Sequence, residues 1–183
     1  GRRGGAWVCA VSPTPLDGSP GPTSHLTWAE LTTSSDPDRA RLQLERLQHQ
    51  SDLWAPLVRV AEVVEVLRVA LGLPVRVTSG LRIGDGDSQH DHGQALDIQV
   101  DGRSPLFVAG VLHGLSLAGA LPHPLRQVIS ETTRDLSGLA APMARGGGGW
   151  VHAAVMGVAG ERFADAAGSP LLRSWLEGGS RVY

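Results

Sequence analysis

Apolar positions recur along this chain first at helical and then at strand spacing. In the stretch that begins at Asp36-Pro37, a helix start, Ala40, Leu44 and Leu47 fall on one helical face. The strongest helical segment is "APLVRVAEVVEVLRVALG", residues 55–72. Its charges, Arg59, Glu62, Glu65 and Arg68, come at every third position and leave a wide apolar face of valine and leucine. Gly72 ends this helix and Pro74 prevents its continuation. A short helix is expected at "LTWAEL", where Thr27 and Glu30 stand at capping-box spacing. The period then drops to two. "PVRVTS" and "ALDIQV" alternate apolar and polar residues, and "RQVIS" and "WVHAAVMG" are two further strand candidates. Between the two pairs, "SPLFVAGVLHGLSLAG" reads as a helix with a serine cap and Pro105 at its first position. The tail carries one more short helix, "SPLLRSWL". Helices come first and strands cluster later with few strand–helix–strand signals. This order predicts an α+β domain, a small antiparallel sheet flanked by helices.

Composition adds boundaries to that pattern. Residues 11–24 are rich in proline, glycine and serine, so residues 1–25 read as an extended arm or linker and 26–183 as one domain. Residues 132–149, which end in "GGGG", read as a flexible insertion between the last two strands. A chain of 183 residues with 42% hydrophobic content can build one sizeable core. The net charge of -2 leaves no electrostatic footprint for nucleic acid or an anionic membrane. No apolar run reaches the roughly 18 residues that a membrane span needs. The single cysteine, Cys9, rules out an internal disulfide framework. No feature of the chain bears on oligomeric state.

The candidate chemistry lies in "SGLRIGDGDSQHDHGQALDIQV", residues 79–100. His90 sits in a loop, and Asp97 follows seven residues later inside "ALDIQV", where Leu96 and Ile98 should face the other way. A carboxylate flanked by core residues needs a partner, because burying it unpaired is costly. A metal ion is one such partner and an arginine is another. Histidine and carboxylate are standard zinc ligands, and a catalytic site takes three of them with one position left for water. His152, mid-strand in "WVHAAVM", is placed to supply the third if its strand lies beside Asp97. Spacing alone leaves a metal site and a structural ion pair both open. Asp85 and Asp87 form an acidic loop whose spacing does not fit an EF-hand, so they read as solvated. His25, His49, His113 and His123 show no ligand pattern.

The series "SGLR…SQHDHGQALDI…WVH" resembles the zinc D-Ala-D-Ala carboxypeptidase and L-alanyl-D-glutamate endopeptidase family, peptidase family M15. The family motif S-x-H-x-x-G-x-A-x-D is met here by Ser88, His90, Gly93, Ala95 and Asp97, and a strand histidine follows later. "VTSGLR" looks like the family's upstream element and makes Arg82 its arginine. The likeness covers residues 26–157, roughly. It implies a hedgehog/DD-peptidase-like fold whose sheet carries Zn2+ on His90, Asp97 and His152. It also implies a metallopeptidase that cuts peptidoglycan stem peptides, as a carboxypeptidase or an endopeptidase, outside the cytoplasmic membrane. No export signal is visible in the chain. By the same likeness Arg82 would hold a substrate carboxylate or the developing oxyanion. Ser88 would orient the loop or the substrate, His92 would stand at the rim, and Trp150 would line the cleft.

Many family members place an acid three residues before the last histidine, where this chain has Gly149. Another branch carries a glutamate after an apolar strand. "QVISE" matches that pattern and nominates Glu131 as general base, with Asp135 a weaker substitute. Glu131 would reach the metal if the last two strands pair as a hairpin and residues 132–149 loop out. The missing acid keeps a second class open: a non-catalytic, zinc-stabilised module that binds cell wall or serves structurally in a phage-like or secreted assembly. "LTWAEL" and the helix before Pro74 look like the phage-type and bacterial branch of the family, which leans the reading towards an endolysin-like lytic role, although the sequence does not separate host wall enzyme, endolysin and toxin.

Overall fold

The computed structural model of the chain describes residues 21–82, 84, 88–132 and 149–155. Cys9, Asp85, Asp87, Asp135 and the expected tail helix lie outside the described residues. So do residues 1–20 of the expected arm and 133–148 of the expected insertion. The elements are α1 (Trp28–Leu31), α2 (Pro37–His49), α3 (Trp54–Leu71), β1 (Val75–Ser79), β2 (Ala95–Val100), α4 (Pro105–Leu117), β3 (Leu125–Thr132) and β4 (Gly149–Val155). A single 3-10 turn at Ser51–Leu53, which the apolar periodicity does not announce, joins α2 to α3.

Each helix starts on a side chain suited to its orphan amides or stops for a stated reason. The Thr27 hydroxyl accepts from the Glu30 amide at 3.2 Å, and the Glu30 carboxylate accepts from the Thr27 amide at 2.8 Å. Asp36 accepts from the amides of Asp38 and Arg39 at the head of α2, with Pro37 following it. The Ser104 hydroxyl accepts from the Phe107 amide to start α4. Gly72 ends α3 in the left-handed region, at φ 62°. No helix among the described residues is long and apolar enough to cross a membrane.

The four strands form one antiparallel sheet in the order β1-β2-β4-β3. Successive strand residues point to opposite faces, so the register sorts them. One face carries Ile98 and Leu96 of β2, Val151 and Ala153 of β4 and Val128 of β3. These residues join Leu57, Val60 and Val64 of α3 and Val108 and Leu112 of α4 in one buried cluster. Burying each such side chain stabilises the fold by about 1.5–3 kcal/mol relative to exposure. The other face carries Ser79, Asp97 and His152 in one row, where Asp97 pairs directly with Ser79 and with His152. Glu131 and Trp150 form the next pair along on that same face.

Contacts are made at two of the expected boundaries. Residues 21–25, the end of the expected arm, are tied to the domain. The His25 ring pairs with Glu65 of α3, and the Thr23 hydroxyl accepts from the Leu26 amide. Thr132 and Gly149, the expected ends of the insertion, are strand residues that pair with each other.

Candidate metal centre

Three side chains from separate elements meet above the polar face of the sheet. Asp97 comes from β2 and His152 from β4, directly opposite in register. His90 comes from the turn at residues 89–93 that leads into β2. Asp97 Oδ1 lies 3.0 Å from His152 Nδ1 and 3.2 Å from His90 Nε2. The two ring nitrogens are 3.1 Å apart. These atoms make a nearly equilateral triangle. A tetrahedral zinc shell with bonds of about 2.0–2.1 Å has ligand–ligand edges of about 3.3 Å, close to all three separations. The cluster could hold a metal ion.

The outer nitrogens of both rings argue the same way. His90 Nδ1 donates to the Gly80 carbonyl at 2.8 Å, and a carbonyl can only accept, so the proton of a neutral ring sits there and the Nε2 lone pair points inward. His152 Nε2 donates to Gln89 Oε1 at 2.9 Å, which turns the Nδ1 lone pair inward as well. Two lone pairs and a carboxylate oxygen therefore converge on one point, an arrangement that a cation relieves. Burial works against a charge on Asp97, but in the metal-free site a proton on the facing nitrogen of His152 or His90 lets that ring donate to the carboxylate, which outweighs burial and holds the carboxyl well below the usual carboxylate range. Burial pushes the His152 imidazole below its ordinary value of 6.5, with the bond to Asp97 opposing. An ionised carboxylate and a neutral imidazole are the forms that bind metal.

The second oxygen of Asp97 is also engaged. Arg82 Nη2 donates to Oδ2 at 2.5 Å, and its Nε donates to the Ser79 hydroxyl at 3.0 Å. Asp97 thus has the arginine that the sequence left open as a partner, and its other oxygen faces two histidines in a cluster that could hold a metal ion. The site is braced from below. Gly80 allows the Leu31 carbonyl to come within 1.9 Å of where a Cβ would stand, and the Leu81 amide donates to that carbonyl at 2.9 Å. Gly93, at φ +66°, turns the chain into β2 where a Cβ would stand 3.0 Å from Leu57 Cγ.

The other nominated residues are placed as follows. Glu131 sits on the face of the metal cluster, diagonal to His152, a relation that puts backbones about 7–8 Å apart and within reach of a long side chain. Trp150, opposite Glu131, lines a cavity of about 400 Å3 with Asp97 and Arg82. The same cavity is lined by Ser34, Ser35 and Arg39. The Ser88 hydroxyl accepts from the Asp91 amide at 3.2 Å, so it caps the turn that presents His90. His92 lies in that turn, half-buried, and is not among the three converging ligands.

Gln89, the Gly80 carbonyl and Ser79 orient the ligands or their arginine, yet the sequence did not single them out. Gln89 lies 63 positions from the ring it steadies, and no local pattern encodes such a contact. Arg46 of α2 bonds Asp91 at 2.7 Å and ties the helix to the same turn, again across 45 positions. No protein-family model, curated protein or solved structure matches the chain, so the converging triad and its braces are what mark this site.

Proposed function

We propose that the chain is a zinc-dependent metallopeptidase that hydrolyses peptide bonds in peptidoglycan stem peptides, outside the cytoplasmic membrane. The observation that carries this reading is the convergence of His90 Nε2, Asp97 Oδ1 and His152 Nδ1 beside an open cavity that Asp97 and Arg82 line. Three protein ligands of the His and Asp type suit zinc and leave one coordination position for water. The likeness of residues 79–100 and 150–152 to the stem-peptide peptidases supplies the substrate class, and the antiparallel sheet bearing the triad suits the hedgehog/DD-peptidase-like arrangement.

When bound, zinc supplies a water of lowered pKa and polarises the scissile carbonyl. Glu131 takes a proton from the attacking water on its carboxylate and delivers it to the leaving amine. Arg82 fixes the orientation of Asp97, and its guanidinium, one-third exposed on the cavity side, meets the oxygen that gains charge. Gln89 and the Gly80 carbonyl hold the histidine tautomers. Ser88 keeps the His90 turn closed, His92 stands beside it, and Trp150 offers a flat wall to the substrate chain.

The test is incubation of the zinc-loaded protein with purified sacculi, with a chelator-treated control, and mass spectrometry of what is released. Loss of a terminal alanine or separation of stem peptides, abolished by the chelator, is the expected result. No metal-dependent product from several wall chemotypes would overturn the reading. Gly149, where many family members carry an acid, favours a second one, a zinc-stabilised wall-binding or structural module. That module would hold zinc and bind sacculi while releasing nothing.

A further inference from the structure

Among the described residues, the cavity beside the triad is lined by a guanidinium that the metal cluster does not use. Among the described lining residues, Arg82 is matched by Asp97, and Arg39 adds a second guanidinium from the first turn of α2. Ser34 and Ser35 stand beside Arg39 in the same wall. The Ser34 hydroxyl accepts from the Asp36 amide at 3.3 Å, a use of its oxygen that leaves its one proton to donate. This wall is tied to the metal side. The amides of Gly80 and Leu81 donate to the carbonyls of Thr33 and Leu31 at 3.2 and 2.9 Å, and Arg46 bonds Asp91 at the other end of α2. A groove with two guanidiniums, hydroxyl donors and the flat Trp150 ring suits a planar anion carried on a peptide.

We propose that Arg39, with Ser34 and Ser35, forms a subsite for a substrate carboxylate in the cavity that Asp97 of the triad also lines. This deepens the peptidase reading and rests on it for the peptide backbone, though not for the anion. Arg39 would be a binding residue that fixes which peptides enter, and the preferred substrate would carry a free carboxylate within one or two residues of the cleaved amide. In a stem peptide that carboxylate has two sources, a C-terminal one or the acid of a glutamyl residue.

The experiment is calorimetric or NMR titration of the full chain, metal-free and zinc-loaded, with acetyl-D-Ala-D-Ala and acetyl-L-Ala-D-Glu, each compared with its carboxamide. The wild-type protein should bind at least one acid about tenfold or more tightly than its amide, as a charge-assisted pair confers. Whichever acid shows this preference identifies the source. Arg39→Gln should erase the preference and leave amide binding unchanged, and Arg39→Lys should restore part of it. The proposal is overturned if Arg39→Gln leaves acid affinity within about twofold of wild type, if acid and amide weaken together, or if neither acid binds. Inorganic phosphate binding as tightly as the better acid would also overturn the carboxylate assignment. Sacculus digestion that persists alongside an indifferent Arg39→Gln sinks this inference and spares the peptidase. Arg39-dependent acid binding without any digestion does the reverse.

Discussion

Leu96 and Ile98 of β2 are fully buried in the cluster shared with α3 and α4, while Asp97 between them is almost as buried on the opposite face. Two histidine rings and an arginine close over Asp97, while its neighbours pack among hydrophobic side chains. Equal burial therefore serves different ends on the two faces. On the apolar face, stability follows volume and contact. On the polar face each atom must find its partner, and three electron-rich atoms held together cost stability unless a cation joins them. The first face holds the second in register, which is why the ligands meet although they come from distant parts of the chain.

Substitutions should separate the faces. Glu131→Gln is expected to lower kcat by about 10²–10⁴-fold, as loss of a general base does, with zinc content and melting temperature unchanged. Turnover and metal content measured on one preparation decide it, and full activity would remove Glu131 from the mechanism. Ile98→Ala, one position from Asp97, should do the opposite. It should cost about 2–5 kcal/mol in denaturant unfolding and leave the zinc affinity of the folded protein nearly unchanged. A large loss of zinc affinity there would show that the two faces are not separable.

Gly80→Ala sharpens the comparison, because it attacks the brace and not a ligand. The new methyl would collide with the Leu31 carbonyl and displace the oxygen that orients His90. Zinc affinity should fall by about tenfold, the lower end of what loss of an orienting partner causes. The smallest effect concerns pH. The folded His152 has a lowered pKa, so between the ordinary 6.5 and its folded value the unfolded chain binds the extra proton. The metal-free protein should be most stable above about 6.5 and lose stability progressively as the pH falls, with Asp97 adding to the loss under stronger acid. Thermal melts from pH 8 to 5 read this directly, and His152→Asn should flatten the slope.

How legible the molecule was in sequence follows the same division. Period-two alternation placed β2 over the same residues as the structure, and the capping signals at Thr27, Asp36 and Ser104 set three helix starts. Asp97 stood out because a carboxylate between two core residues is anomalous, and His152 because it breaks an apolar strand. The register that sets Asp97 opposite His152, and Glu131 on their face, was an expectation that only strand pairing could supply. Gln89, Arg39 and the 3-10 turn at Ser51–Leu53 were not legible. Their placement depends on contacts between distant segments, and each residue looks ordinary in its own neighbourhood.

Whether the three convergent acceptors form a metal centre is decided by an equilibrium zinc titration of the metal-free protein. The expected result is one zinc per chain, tight binding that releases protons, and a loss of at least about a hundredfold in affinity for His152→Ala, with helical content kept. Zinc that binds weakly, at several equivalents, or equally well to His152→Ala would contradict it.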